Sequence, residues 1–345
     1  MPGSESARRS RSPTDRRRWL FVGAWFAFVA LLVTVTVVFA PRLLLWMRTD
    51  APIAGELTEL DVWMFFYPEL DQTNVVADDD DEAHFDVLFL GGSVLEQVTD
   101  VIGPEDFEPR AGGQPVRIYN LCKSAHTSRD SLLKLRLLKH RQFDLVVVYH
   151  GINEVRMNCC TADEFQLDYT HCDWYSSMHR RVRAKKISFG EIVLDATSRL
   201  IPLGEPKPER AALGAELKTP PAFRANMREI VEICNRSPEK EIIVGTFALH
   251  LPDDYDRERY ENGELGYGPG DYRMVAESWG QPDAVRDAVC AHNGVVKELA
   301  AGDGRFTLRD VAAALEPDRS NFCDLCHLTL QGIQRFKSLL IRPSK

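Results

Sequence analysis

Cysteine is scarce in this chain. Eight residues in 345 are too few to frame a small disulfide-built domain. Positive charge is scarce too, once the first 49 residues are set aside. Those carry eight Arg against Glu5 and Asp15, a net of +6, which leaves 34 basic against 49 acidic residues, a net of −15, for the remainder. A body this acidic lacks the Lys and Arg that phosphate contacts need, so nucleic-acid binding is excluded as a function. It is also repelled by anionic lipid surfaces. No internal repeat is present, and 22 Gly and 19 Pro are unremarkable numbers. Collagen-like, wholly disordered and multi-span membrane classes therefore fall away. What remains is a globular composition, 44% hydrophobic and 27% charged. Its length suits two domains of about 150 residues, or one α/β domain with an insertion.

One stretch lacks charge altogether. Residues 19–40 read WLFVGAWFAFVALLVTVTVVFA. As a helix they span about 33 Å, against a hydrocarbon core of about 30 Å. A water-facing core helix of that length would carry polar residues at helical spacing. A cleaved signal peptide would have a shorter apolar region and a small-residue cleavage site. Val38 and Ala40 offer a weak site, but Pro41 follows directly. Six Arg precede the run and two follow it, so the positive-inside rule keeps the N-terminus in the cytoplasm. The expected organisation is a cytoplasmic basic tail (1–18), a single-pass transmembrane signal anchor (19–40), a tether (41–84) and a periplasmic or extracellular body (85–341). The acidic run Asp78 to Glu82 lacks calcium-loop spacing and reads as a solvated loop.

From residue 85 the pattern alternates. Short apolar runs at 85–90, 116–121, 143–149 and 241–247, with a fifth at 305–308, have strand character, and 143–149 (FDLVVVY) suits a strand buried on both faces. Helical spacing appears at 128–140, 223–234, 282–300 and 330–341. Strands alternating with helices predict a parallel sheet with helices on both faces. Residues 155–222 break the rhythm and read as an insertion.

In open α/β sheets ligands bind beyond the carboxyl ends of the strands. Four polar groupings stand there: Gly91-Gly92-Ser93 after the first strand, Asn120 to Ser128 after the second, Gly151-Ile152-Asn153-Glu154 after the third, and Asp324-Leu325-Cys326-His327 near the end. Their types fit acyl transfer. A Ser at a strand-to-helix turn is an exposed nucleophile, a His takes its proton, and a carboxylate orients the His. The developing oxyanion needs donors, for which the Ser93 N–H, the Ala125 N–H and the Asn153 amide are candidates.

The pattern resembles the SGNH (GDSL-like) hydrolase family over roughly residues 84–340, with all four blocks in order. The resemblance implies a three-layer α/β/α sandwich with a parallel sheet, here preceded by one transmembrane helix. It implies Ser93 as nucleophile, Asp324 and His327 as the rest of a triad, and Ser93, Ala125 and Asn153 as the oxyanion hole. It implies no cofactor and no metal. Gly92, His126 and Glu154 stand where substrate contacts are expected. The sequence departs from the family pattern at three points: Gly92 stands where the family has Asp, Ala125 where it has Gly, and Glu154 where Asp is commoner. The implied activity is an ester hydrolase whose substrate is a small molecule, a lipid or a glycan. Two alternatives stay open: an O-acyltransferase acting on cell-surface polysaccharide, in which a sugar hydroxyl replaces water, and a catalytically inactive tethered binding module.

Cys323-Asp324-Leu325-Cys326-His327 also has the C-x-x-C-H form of a haem attachment site. It sits inside the Asp-x-x-His block, and an acidic α/β body is unlike a small cytochrome. Zinc there lacks a second ligand pair. The cysteines otherwise read as structural: Cys159 or Cys160 pairing with Cys172 would staple the insertion, Cys323 with Cys326 is a further possible pair, and Cys122, Cys234 and Cys290 read as buried apolar residues.

Overall fold

The computed structural model describes residues 21–36, 39, 43, 56–76, 83–138, 141–187, 204–235 and 240–341. Five strands, β1 (Phe85–Gly91), β2 (Val116–Asn120), β3 (Leu145–Tyr149), β4 (Glu241–Gly245) and β5 (Thr307–Arg309), form one sheet in the order β2-β1-β3-β4-β5. All four pairings are parallel. The chain runs from β1 to β2 on one side, then crosses back to β3 on the other. The β1/β3 boundary is therefore the topological switch point, where a crevice opens beyond the strand ends.

β1 and β3 are buried along nearly their whole length, so both faces carry apolar side chains. Successive residues point to opposite faces. Val87 and Phe89 of β1, with Leu145, Val147 and Tyr149 of β3, enter one core. Leu88 and Leu90, with Val146 and Val148, enter the other. The first core is closed by α2 (Ser93–Thr99), the N-terminal half of α6 (Pro282–Asp303) and α7 (Leu330–Ile341). The second is closed by α3 (Ser128–Leu137), α5 (Thr219–Cys234) and the later part of α6. The result is the three-layer α/β/α arrangement expected from the alternation. α5 begins four residues earlier than its apolar spacing suggested. Its first turn holds Pro220 and Pro221, where a missing N–H costs nothing.

The expected tether needs correcting. Residues 59–66 form a helix, α1 (Glu59–Phe66), started by a capping box in which Thr58 and Asp61 exchange hydrogen bonds. It packs on α4 (Asp173–Ala184) of the insertion, with Phe66 edge-on to Trp174. Tyr67, Leu70 and Val75 then enter the second core. Burying a side chain such as Leu70 is worth about 1.5–3 kcal/mol, and that gain fixes this segment to the body. The acidic run at 78–82 lies outside the described residues, apart from which 83–84 lead into β1.

The cysteine pairings are also corrected. Cys159, Cys160 and Cys172 form no disulfide, and neither do Cys323 and Cys326. The three insertion thiols face different groups: Cys159 the Trp279 carbonyl, Cys160 the Met157 carbonyl and Cys172 the Met157 sulfur at 3.2 Å. Cys122 is buried as expected, whereas Cys290 is exposed.

Of the anchor expected over 19–40, residues 21–36 form a helix whose Phe21, Trp25, Phe26 and Leu31 are exposed. Residues 19, 20, 37, 38 and 40 lie outside the described residues, as does the tail at 1–18. Among the described residues no helix is long and apolar enough to cross a membrane.

Candidate active site

The sheet brings Ser93, Asn153, Asp324 and His327 to one place. Ser93 is the first residue of α2, directly after β1 and Gly92. Gly91 and Gly92 are both required by close approach. A Cβ on Gly91 would stand 2.7 Å from Leu95 Cβ, and one on Gly92 would stand 2.6 Å from Asn153 Nδ2 and 3.3 Å from the His126 carbonyl. The space a side chain at Gly92 would need is filled by the Asn153 amide.

His327 Nε2 lies 2.8 Å from Ser93 Oγ, and its Nδ1 lies 2.8 Å from Asp324 Oδ2. A short turn supplies this pair. Asp324 Oδ1 accepts the backbone N–H groups of Cys326 and His327, at 2.9 and 2.8 Å, and Oδ2 accepts the Met274 N–H at 3.0 Å. Burial alone would raise the Asp324 pKa. The facing His327 and these donated hydrogen bonds outweigh it and hold the carboxyl below its ordinary value. A carboxylate fixed this way demands N–H at His327 Nδ1, which leaves Nε2 as the acceptor toward Ser93.

Around this chain stand groups that no motif marks. Gln97 clamps the backbone beyond His327, donating to the Leu328 carbonyl at 2.8 Å and accepting its N–H at 3.0 Å. Tyr272 lies flat on the His327 ring, with centroids 3.9 Å apart and an angle of 7°. It comes from a loop with no motif and no periodicity. Trp279 Nε1 donates to Asn153 Oδ1 at 3.3 Å.

Asn153 Nδ2 spends one hydrogen on the His126 carbonyl, at 2.8 Å, and an amide nitrogen has a second to give. Ala125 adopts φ +66, the left-handed conformation that glycine would take without strain. Its N–H is thus presented as a glycine's would be. A small cavity of about 10 Å³ opens beside Ser93, lined by Gly92, Tyr149, Gly151, Ile152, Asn153 and Phe247.

His126 and Glu154 sit elsewhere than expected. His126 is buried behind the loop, its Nδ1 accepting from Lys134 Nζ at 2.8 Å. Burial first, then the adjacent lysine charge, push its pKa down. Glu154 is fully buried, accepting the Ser128 N–H at the start of α3. Burial pushes its pKa up to about 7. It is a helix-start acceptor here, and it does not line the cavity beside Ser93.

Asp324, Cys326 and His327 each bring one ligand atom within 4.8 Å of the others. Burial, together with the adjacent Asp324, pushes the Cys326 thiol well above its ordinary pKa, which opposes the thiolate a metal would need. His327 Nε2 faces the serine.

No protein-family model matches this sequence, and no curated protein matches it. Several solved structures align with it. A lipase/acylhydrolase from Enterococcus faecalis is 15% identical, with 74% of this chain and 92% of that one covered, at a TM-score of 0.39. A member of the lipolytic G-D-S-L family from Veillonella parvula is 9% identical, covering 74% and 97%, at 0.38. An acetyl xylan esterase from Geobacillus stearothermophilus is 16% identical, covering 75% and 97%, at 0.34. At these identities and TM-scores the likeness carries no weight for function.

Proposed function

We propose that this chain is a serine ester hydrolase of the SGNH type, held at the outer face of a membrane by residues 19–40. The observation that carries the reading is the continuous chain Ser93 Oγ, His327 Nε2, His327 Nδ1, Asp324 Oδ2, with 2.8 Å at both links. An inactive binding module has no need of it.

Ser93 Oγ attacks the ester carbonyl carbon while His327 Nε2 takes its proton. Asp324 stabilises the resulting imidazolium at Nδ1 without taking the proton itself. Negative charge develops on the former carbonyl oxygen, where the Ser93 N–H, the Ala125 N–H and the free Asn153 hydrogen receive it. The intermediate collapses, His327 protonates the leaving alcohol, and the acyl group remains on Ser93. Water then attacks the acyl carbon, His327 takes one of its protons, and the carboxylic acid leaves as Ser93 regains its hydrogen. The substrate class this supports is an oxygen ester on a small molecule, lipid or glycan.

Attachment through residues 19–40 is supported by a run without charge and by the excess of Arg on its N-terminal side. The catalytic reading is tested by treating the full chain with a p-nitrophenyl alkylphosphonate and weighing the product. One phosphonyl group per chain, mapped to Ser93 and abolished by Asp324→Asn, is expected. Labelling elsewhere, or none, contradicts the reading.

A further inference from the structure

Lys134 is a lysine with no exposure at all, in the middle of α3. Its ammonium donates to the Leu121 carbonyl at 2.6 Å and to His126 Nδ1 at 2.8 Å, and it is ion-paired with Glu69 Oε1 at 2.6 Å. The first two belong to the loop that carries Ala125. The third belongs to the segment after α1, outside the α/β alternation. Tyr67 from the same segment places its ring 5.3 Å from the ammonium and its hydroxyl 2.8 Å from Asp130. Asp130 in turn accepts the Thr127 N–H at 2.8 Å, which closes the far end of the loop.

The loop is therefore held from behind at Leu121, His126 and Thr127, with Ala125 left-handed between those points. A left-handed alanine costs about 1–2 kcal/mol, so that conformation persists only where neighbouring contacts over-determine it. The front of the loop meets the serine side, since Asn153 holds the His126 carbonyl beside Gly92. A methionine fills the volume of a buried lysine, and a paired buried charge is weak as a source of stability. What methionine cannot do is bond two points of one loop at once.

We infer that Lys134, with Glu69 as its counter-ion, is a positioning residue that holds the 121–127 loop in register with Ser93. The inference rests on the esterase reading for its catalytic consequence. It also makes the segment after α1 part of the catalytic unit.

The test uses the full chain in detergent, wild type beside Lys134→Met/Glu69→Gln. The double variant is chosen because Lys134→Met alone strands a buried carboxylate and endangers folding. Both proteins are checked by thermal melting. With p-nitrophenyl acetate, KM should stay within about threefold while kcat falls roughly 10- to 100-fold, as a displaced oxyanion donor requires. Methylboronic acid adds to Ser93 Oγ and mimics the tetrahedral intermediate. Its Ki should rise by the same factor as kcat falls, which a mere loss of folded molecules would not produce. Amide hydrogen exchange at 121–127 should speed up while β1 and β3 stay protected. A folded variant with unchanged kcat, a lowered kcat with unchanged boronate Ki, or unchanged loop exchange each overturns the inference. A wild type that neither cleaves the ester nor binds the boronate overturns the esterase reading instead. Exchange then still decides whether Lys134 holds the loop.

Discussion

Gly92 decides where Asn153 stands. Its missing side chain leaves room for the amide that bonds the His126 carbonyl, and a methyl group there would stand 2.6 Å from Nδ2. Gly92→Ala should push Asn153 aside and lower kcat on p-nitrophenyl acetate by about 10²-fold, with little change in the melting temperature. A Gly92→Ala enzyme with wild-type kcat would mean that Asn153 does not serve the oxyanion. Ala125 makes the opposite case. Ala125→Gly keeps the N–H and removes about 1–2 kcal/mol of left-handed strain. Against that, the unfolded chain gains about 0.4–1 kcal/mol of entropy. Activity within about threefold of wild type and stability within about 1 kcal/mol are the expected results, read by steady-state kinetics and urea melts. Gly92 and Ala125, where the sequence departs from the pattern it resembles, are thus accommodated locally, one by an amide filling the space and one by an alanine held at positive φ.

Among the elements, the strands were legible and the polar partners were not. Apolar runs such as FDLVVVY announce central strands, because only a strand covered on both faces tolerates continuous apolar residues. The strand ends then placed Ser93 and Asn153 beside the Asp324 and His327 turn without any distance being known. Four features escaped. Aromatics at 63–67 looked like a decorated tether, yet they form α1 and its continuation into a core. Buried Lys134 looked like one more exposed cation on a helix, because its acceptors lie at residues 69, 121 and 126. Glu154, expected near substrate, bonds Ser128 inside the body. Tyr272 belongs to an irregular loop, and its pairing with His327, 55 residues on, leaves no local trace. At this scale the proposed anchor also makes a prediction. In membranes from cells expressing the full chain, residues 19–40 should keep it in the pellet through alkaline carbonate washing, and deletion of 19–40 should release it. Release of the intact chain by carbonate would refute the anchor.

The molecule as a whole should be acid-labile. Burial drives the pKa of His150 down to about 3 and that of His292 down to about 4. Each is neutral when folded and binds a proton near pH 6.5 when unfolded, so their contribution is lost as pH falls below 6.5. Glu154 opposes them. Its folded pKa of about 7 exceeds its ordinary 4.5, so between those values the folded state holds the extra proton and stability falls as pH rises. Two histidines against one carboxyl leave a net uptake of about one proton on unfolding between pH 4.5 and 5.5. Across that window stability should therefore drop by about 1.4 kcal/mol per pH unit on acidification. In Glu154→Gln the opposing group is gone, and the slope there should steepen to about 2.4 kcal/mol per unit. Urea unfolding at pH 4.5, 5 and 5.5 measures both slopes. Equal slopes in the two proteins would show that Glu154 does not hold its proton in the fold.

The central claim is that Ser93, activated by His327 and Asp324, is an esterase nucleophile. It is tested most directly by p-nitrophenyl acetate hydrolysis, using the full 345-residue chain in detergent beside its Ser93→Ala variant with matched melting curves. The account predicts saturable hydrolysis by the wild type and a loss of at least about 10³-fold in the variant. Equal rates in the two proteins, or no hydrolysis by either, would contradict it.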